Sequence, residues 1–258
     1  MITMKINIEE AKEEFIKYTE NFNTKDKNVK RKQQHSIRVM KIAEQIATNL
    51  KLSEEQIQLA TLIGLLHDIG RFKQYTDIGL GNNLEGFDHG DYGTKLLFKE
   101  GLIRKFIETN KYDEIIKKSI KNHNKFSIEA GLTQEELLFA KLIRDADRTD
   151  IFYILITGEE KTIWETDNMN NEIVTNEIYR EFIEDKHIKF KNMETSGDIL
   201  VGHFAYIYGL YFKPALKIFK DKKYVDQLYN RFSFTNKDTA EKFKVIHEKA
   251  KQYIEEKG

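Results

Sequence analysis

Apolar positions recur at three- and four-residue steps over most of this chain. Val39, Ile42, Ala43, Ile46, Ala47 and Leu50 mark one face of a helix. Leu59, Leu62, Ile63 and Leu66 do the same behind Ser53, whose Glu54-Glu55-Gln56 supplies the reciprocal partner of a capping box. Thr133, followed by Gln134-Glu135-Glu136, opens another helix through Leu137, Leu138, Leu142 and Ile143. Asn7 with Ile8-Glu9-Glu10 opens a fourth near the start of the chain. One Pro and 14 Gly in 258 residues point the same way, because sheets and their turns consume more of both. The expectation is an all-α fold.

The periodicity stops between Gly70 and Gly93. Six of the 14 Gly fall there (Gly70, Gly79, Gly81, Gly86, Gly90, Gly93), which reads as one long loop of the kind that serves function. A second irregular stretch, Thr157–Asn176, carries Trp164 and the polar run Asp167–Asn171, and separates a helical core from a C-terminal helical part. The first residues have no apolar signal region, and the longest apolar run, near Leu59–Leu66, is broken by Thr61 and Gly64. It falls short of the roughly 18 residues that a membrane span needs. A cytoplasmic protein is expected, with no membrane partner.

Composition narrows the chemistry. The 42 Lys+Arg balance the 42 Asp+Glu, which argues against nucleic acid or a membrane surface as an electrostatic partner. With no Cys, disulfides, thiolate nucleophiles and Cys-ligated zinc are excluded, and any metal site must be built from carboxylates and the seven His.

Four of those His stand in telling places. In LIGLLHDIGRF, Leu62, Ile63 and Leu66 pin a buried helix and Gly70 reads as its left-handed terminator. That puts His67 and Asp68 in the last turn, flanking a cavity. His35 shares a helix side with Val39 and Ile42. His89 sits in DHGDYG, His123 ends the apolar stretch Ile115, Ile116, Ile120, and Asp147 lies in KLIRDADRTD beside Leu142 and Ile143. Imidazoles and carboxylates on apolar faces cost several kcal/mol unless paired or bound to metal. As ligands they suit Fe, Mn, Ni, Zn or Mg. Of the other His, His187 and His247 read as exposed and His203 as a satisfied core residue.

His35, His67-Asp68 and Ala146-Asp147 resemble, in order and context, the metal-binding signature of the HD-domain superfamily of metal-dependent phosphohydrolases. His89-x-x-x-Gly93 and His123 further resemble the extra ligands of its two-metal branch, seen in HD-GYP phosphodiesterases and related nucleotide hydrolases. The match to HD-GYP proteins is not full, since NKFSI stands after His123 in place of the GYP tripeptide.

The resemblance covers about Val29–Ile156. It implies an HD-type helical bundle over 29–156, with a C-terminal helical extension over 172–256, in one all-α unit 1–258. It also implies that His35, His67, Asp68 and Asp147 hold a first divalent ion, and that Asp68 bridges to a second completed by His89 and His123. Water shared between the ions would become the nucleophile. Arg71 would join Asp68 as a catalytic residue by stabilising charge on the phosphoryl oxygens, with Lys73 and Arg148 as further substrate-binding candidates. The implied activity is hydrolysis of a small phosphoester, a nucleotide or related metabolite. A di-iron oxygenase built on a similar ligand set, or a catalytically silent metal or nucleotide sensor, are the alternatives. The sequence leaves the oligomeric state open, a homo-oligomer included.

Overall fold

Capping chemistry starts the helices where the sequence expects them. In this computed structural model, which describes residues 6–22, 26–77, 87–164 and 166–258, Asn7 accepts a hydrogen bond from the Glu10 backbone N–H and opens α1 (Ile8–Glu20). The next helix, α2 (Lys27–Asn49), starts at Asp26, whose side chain accepts from the Asn28 N–H. Ser53 and Gln56 form the capping box that opens α3 (Glu54–Leu66). After it come α4 (Ile69–Asp77), α5 (His89–Thr94), α6 (Asp113–Asn122) and α7 (Gln134–Thr157). Thr133 and Glu136 cap α7 reciprocally. Among the described residues every regular element is helical, and no helix is long and apolar enough to cross a membrane.

The chain divides into two compact units between Asp147 and Arg148. In the first, α3 is apolar on every side and is buried from Gln58 to Leu66, the signature of a central helix. Its partner α2 lies against it at very close range. A Cβ on Gly64 would stand 2.9 Å from the Met40 Cα and 3.0 Å from the Val39 carbonyl, so only glycine permits this crossing.

Gly70 departs from the sequence expectation. The positive-φ glycines among the described residues are Gly101 and Gly131, and Gly70 instead lies inside α4. Helix α3 ends at Leu66, and a short turn at His67–Asp68 leads into the new helix. Gly70 serves a close approach, because a Cβ there would meet the His89 carbonyl oxygen at 2.7 Å and the Gly93 nitrogen at 2.8 Å. Glycine density between Gly70 and Gly93 thus marks α4 and α5 touching backbone to backbone, and α4 and α5 replace both ends of the expected long loop. Gly79, Gly81 and Gly86 lie outside the described residues.

The second unit takes the rest of α7 and adds α8 (Glu160–Trp164), α9 (Asn176–Ile183), α10 (Ser196–Phe204), α11 (Lys213–Asp221), α12 (Tyr224–Tyr229) and α13 (Lys237–Lys257). Its core gathers around Phe152, whose ring centroid lies 4.6 Å from that of Phe219 and 6.1 Å from that of Phe204. The stretch expected to be irregular carries α8 and a single 3₁₀ turn at Met169–Asn171. The border between the two units falls inside α7, between Asp147 and Arg148. No linker marks it, because one helix passes through it unbroken. His247 is buried rather than exposed: its ring stacks on Tyr229 at 4.0 Å and its Nε2 bonds Asp226 at 2.7 Å. His187 is half-buried with its ring 6.1 Å from that of Tyr206, and His203 accepts the Trp164 indole N–H at 3.3 Å.

Candidate metal centre

Six side chains from four helices and one turn of the first unit converge on a single cluster. His35 comes from α2, His67 and Asp68 from the turn after α3, His89 from the start of α5, His123 from the end of α6 and Asp147 from α7. His67 and His123 are placed by the same device. Each ends a helix, where the last carbonyls lack intrahelical partners. His67 Nδ1 lies 2.8 Å from the Gly64 carbonyl oxygen, and His123 Nδ1 lies 2.6 Å from that of Ile120. A carbonyl only accepts, so Nδ1 carries the proton in both rings and Nε2 presents its lone pair to the cluster. Asn124 places its amide nitrogen 3.3 Å from His89 Nδ1 and also donates to Asp88, the N-cap of α5.

The donor atoms form two groups that share one carboxylate. His35 and His67 bring their Nε2 atoms to 3.2 Å of each other, and Asp147 Oδ1 lies 3.1 Å from the first and 3.7 Å from the second. His89 and His123 bring theirs to 3.1 Å. Asp68 stands between the pairs, with Oδ2 at 3.6 Å from both His35 and His67. Its Oδ1 lies 3.5 Å from His89 and 3.6 Å from His123. Ligand atoms held about 2.1 Å from a common ion lie roughly 3.0–3.4 Å apart, close to the spacing seen here. Asp68 Oδ1 is moreover buried with no hydrogen-bond partner among the described residues, a state that costs energy unless a cation answers it. The donors fit divalent ions of the kind that imidazole and carboxylate select.

The electrostatics favour the protonation states that ligation needs. Burial pushes the His67 imidazole down to about 4, although Asp68 and Asp147 pull the other way. Burial likewise holds His89 well below the ordinary imidazole range. Burial opposes ionisation of Asp68, yet the Lys32 ammonium and the His67 ring outweigh it and hold the carboxyl well below its usual range. Asp147 is lowered too, as its hydrogen bond with His35 and the neighbouring His67 overcome burial. Neutral rings and ionised carboxylates are the forms that bind metal.

The three candidate substrate residues make different local contacts. Arg71, in the first turn of α4, places Nε 4.0 Å from Asp68 Oδ1 and donates from Nη1 to the buried Gln74 Oε1 at 2.9 Å. Lys73 lines a cavity of about 490 Å³ with Tyr18, Asn21, Phe22 and Lys105. Arg148 belongs to the second unit, where its guanidinium donates to the Gly209 carbonyl and lies 5.4 Å over the Tyr206 ring. Three residues escaped the sequence reading. Lys32 donates to Asp68 Oδ2 at 2.7 Å. Gln74 fixes Arg71, and Arg144 donates to the carbonyls of Asn122, His123, Lys125 and Phe126 around His123.

The first unit is helical among its described residues and holds a buried His/Asp cluster. Residues 33–151 match the family model for the HD domain. The family consists generally of metal-dependent phosphohydrolases, and two groups in this cluster, His35/His67/Asp147 and His67/Asp68/His123, could hold a metal. No curated protein and no solved structure matches the chain.

Proposed function

We propose that the protein is a metal-dependent phosphohydrolase that cleaves a small phosphoester, a nucleotide or related metabolite, at a site for two divalent ions. The split of the Asp68 carboxylate carries this reading. One oxygen faces His35 and His67, the other faces His89 and His123, and a bridging ligand between two ions needs that disposition. When bound, divalent ions bring the pKa of water toward neutrality and polarise a phosphoryl oxygen. The chain's own part is to fix the donors and to meet the anion. His67 and His123 are held in one tautomer by backbone carbonyls, and Asp68 and Asp147 are held ionised. Arg71, braced by Gln74 beside Asp68, supplies a fixed guanidinium for phosphoryl oxygens, whose charge grows during transfer.

The test is metal analysis of purified protein, followed by a panel of phosphomonoesters, phosphodiesters and nucleotides with Mn, Fe, Ni, Zn and Mg. Phosphate or nucleoside release that Asp68→Ala and His67→Ala abolish, with the fold retained, is the expected result. Oxygen uptake by the iron-loaded protein without phosphate release would assign an oxygenase instead. Ligand binding without turnover across the panel would assign a sensor.

A further inference from the structure

A cation from the chain itself reaches into the donor cluster. Lys32 lies one turn before His35 on α2 and extends Nζ to 2.7 Å from Asp68 Oδ2, with its side chain 19% exposed. That oxygen is the one facing His35 and His67 at 3.6 Å. A divalent ion held by His35, His67 and Asp147 would draw on the same oxygen, and two cations at one carboxylate oxygen repel. Lysine resolves such a conflict more readily than arginine, because its ammonium is a point charge on a flexible four-carbon stem. Partial exposure gives that stem somewhere to go. An ammonium has donors and no acceptor, so once displaced it turns to water or to another anion. The nearest anion expected in this site is the phosphate of a substrate.

We propose that Lys32 is shared between Asp68 and the substrate: it competes with a divalent ion for Asp68 Oδ2 and, when displaced, binds a phosphate oxygen. The assignment rests on the phosphohydrolase reading of the same site. It has two consequences of opposite sign. Removing the ammonium frees Asp68 for metal and deprives phosphate of a donor. A lysine that merely supported the fold would change both affinities in the same direction or neither.

The experiment uses the full chain, stripped with a chelator and titrated with Mn²⁺ by calorimetry, then the Mn-loaded protein titrated with inorganic phosphate. Lys32→Met should bind Mn²⁺ about tenfold more tightly than the wild type and phosphate about tenfold more weakly, the effect of one charge-assisted contact. Lys32→Arg should keep phosphate affinity within about threefold of the wild type, since it keeps the charge. A thermal melt without added metal checks that each variant folds, and Lys32→Gln takes both titrations should Lys32→Met fail. Unchanged or weaker Mn²⁺ binding in the variant, or unchanged phosphate binding, overturns the role of Lys32 and leaves the phosphohydrolase standing. A folded wild type that binds no Mn²⁺, Fe²⁺, Ni²⁺, Zn²⁺ or Mg²⁺ overturns the metal site itself, and Lys32's role with it.

Discussion

Replacing Arg144 with Met should separate the two halves of the cluster. Arg144 is 1% exposed and its guanidinium reaches four backbone carbonyls, at 2.7 Å (Asn122), 3.3 Å (His123), 2.6 Å (Lys125) and 3.1 Å (Phe126). These carbonyls belong to the end of α6 and the turn beyond it, where the helix dipole is negative and a cation is favoured. Hydrogen bonds from a charged donor contribute about 1.5–3 kcal/mol each, and their deletions do not add, so losing all four costs on the order of 4 kcal/mol. Methionine fills much of the volume and replaces none of the donors. At roughly 2–4 °C per kcal/mol for a protein of this size, the unfolding of the first unit should drop by about 10 °C. His123 would lose its placement while His35, His67 and Asp147 keep theirs. On the two-ion reading proposed above, the variant should therefore bind one divalent ion per chain against two for the wild type, with Arg144→Lys intermediate in melting. Calorimetric melts and metal stoichiometry on dialysed protein provide the readings. A variant that melts with the wild type, or that loses both ions together, would refute the assignment of Arg144 to His123 alone.

Gly70→Ala should cost about 1–3 kcal/mol, because its Cβ would meet backbone at 2.7 Å and 2.8 Å rather than a movable side chain. Relief would push α5, and His89 with it, away from Asp68; an unaltered melting temperature and metal stoichiometry would contradict this. In the second unit, burial pushes His203 from 6.5 to about 4, and Trp164 donates to its Nδ1, which binds the neutral ring. The unfolded chain then holds more protons between those values, so stability falls as pH drops through the window from about 6.5 to about 4, by at most about 3 kcal/mol. His203→Gln keeps an acceptor without titrating, and its denaturant midpoint should fall less steeply over that range. Parallel curves for the two proteins would exclude His203 as a source of the slope.

What the sequence makes legible is what depends on near neighbours. Asn7, Ser53 and Thr133 cap their helices as read, because each cap is a contact across three residues. The six candidate donors stand out by their order along the chain, and the structure brings their Nε2 and carboxylate oxygens within 3.1–3.7 Å of one another in pairs. Gly70 is not the left-handed terminus its sequence position suggests, because glycine marks both such a terminus and a close crossing, and only the position of α5 decides between them.

The residues that escaped share a feature that makes their absence instructive. Lys32 precedes His35 by three, Arg144 precedes Asp147 by three, and Gln74 follows Arg71 by three, so each lies on the same helix face as a candidate residue that the sequence singles out. Periodicity alone ranks such residues as solvated, since Lys and Arg at a helix surface ordinarily are. Arg144 is instead buried because α6 ends against α7 and leaves carbonyls that need a donor. The same spacing supplies Gly64 to His67 and Ile120 to His123 as carbonyl acceptors. A histidine that ends a helix can thus take its orienting partner from the turn it has just left, and the charged residue three positions from a ligand is where to look for what orients the rest.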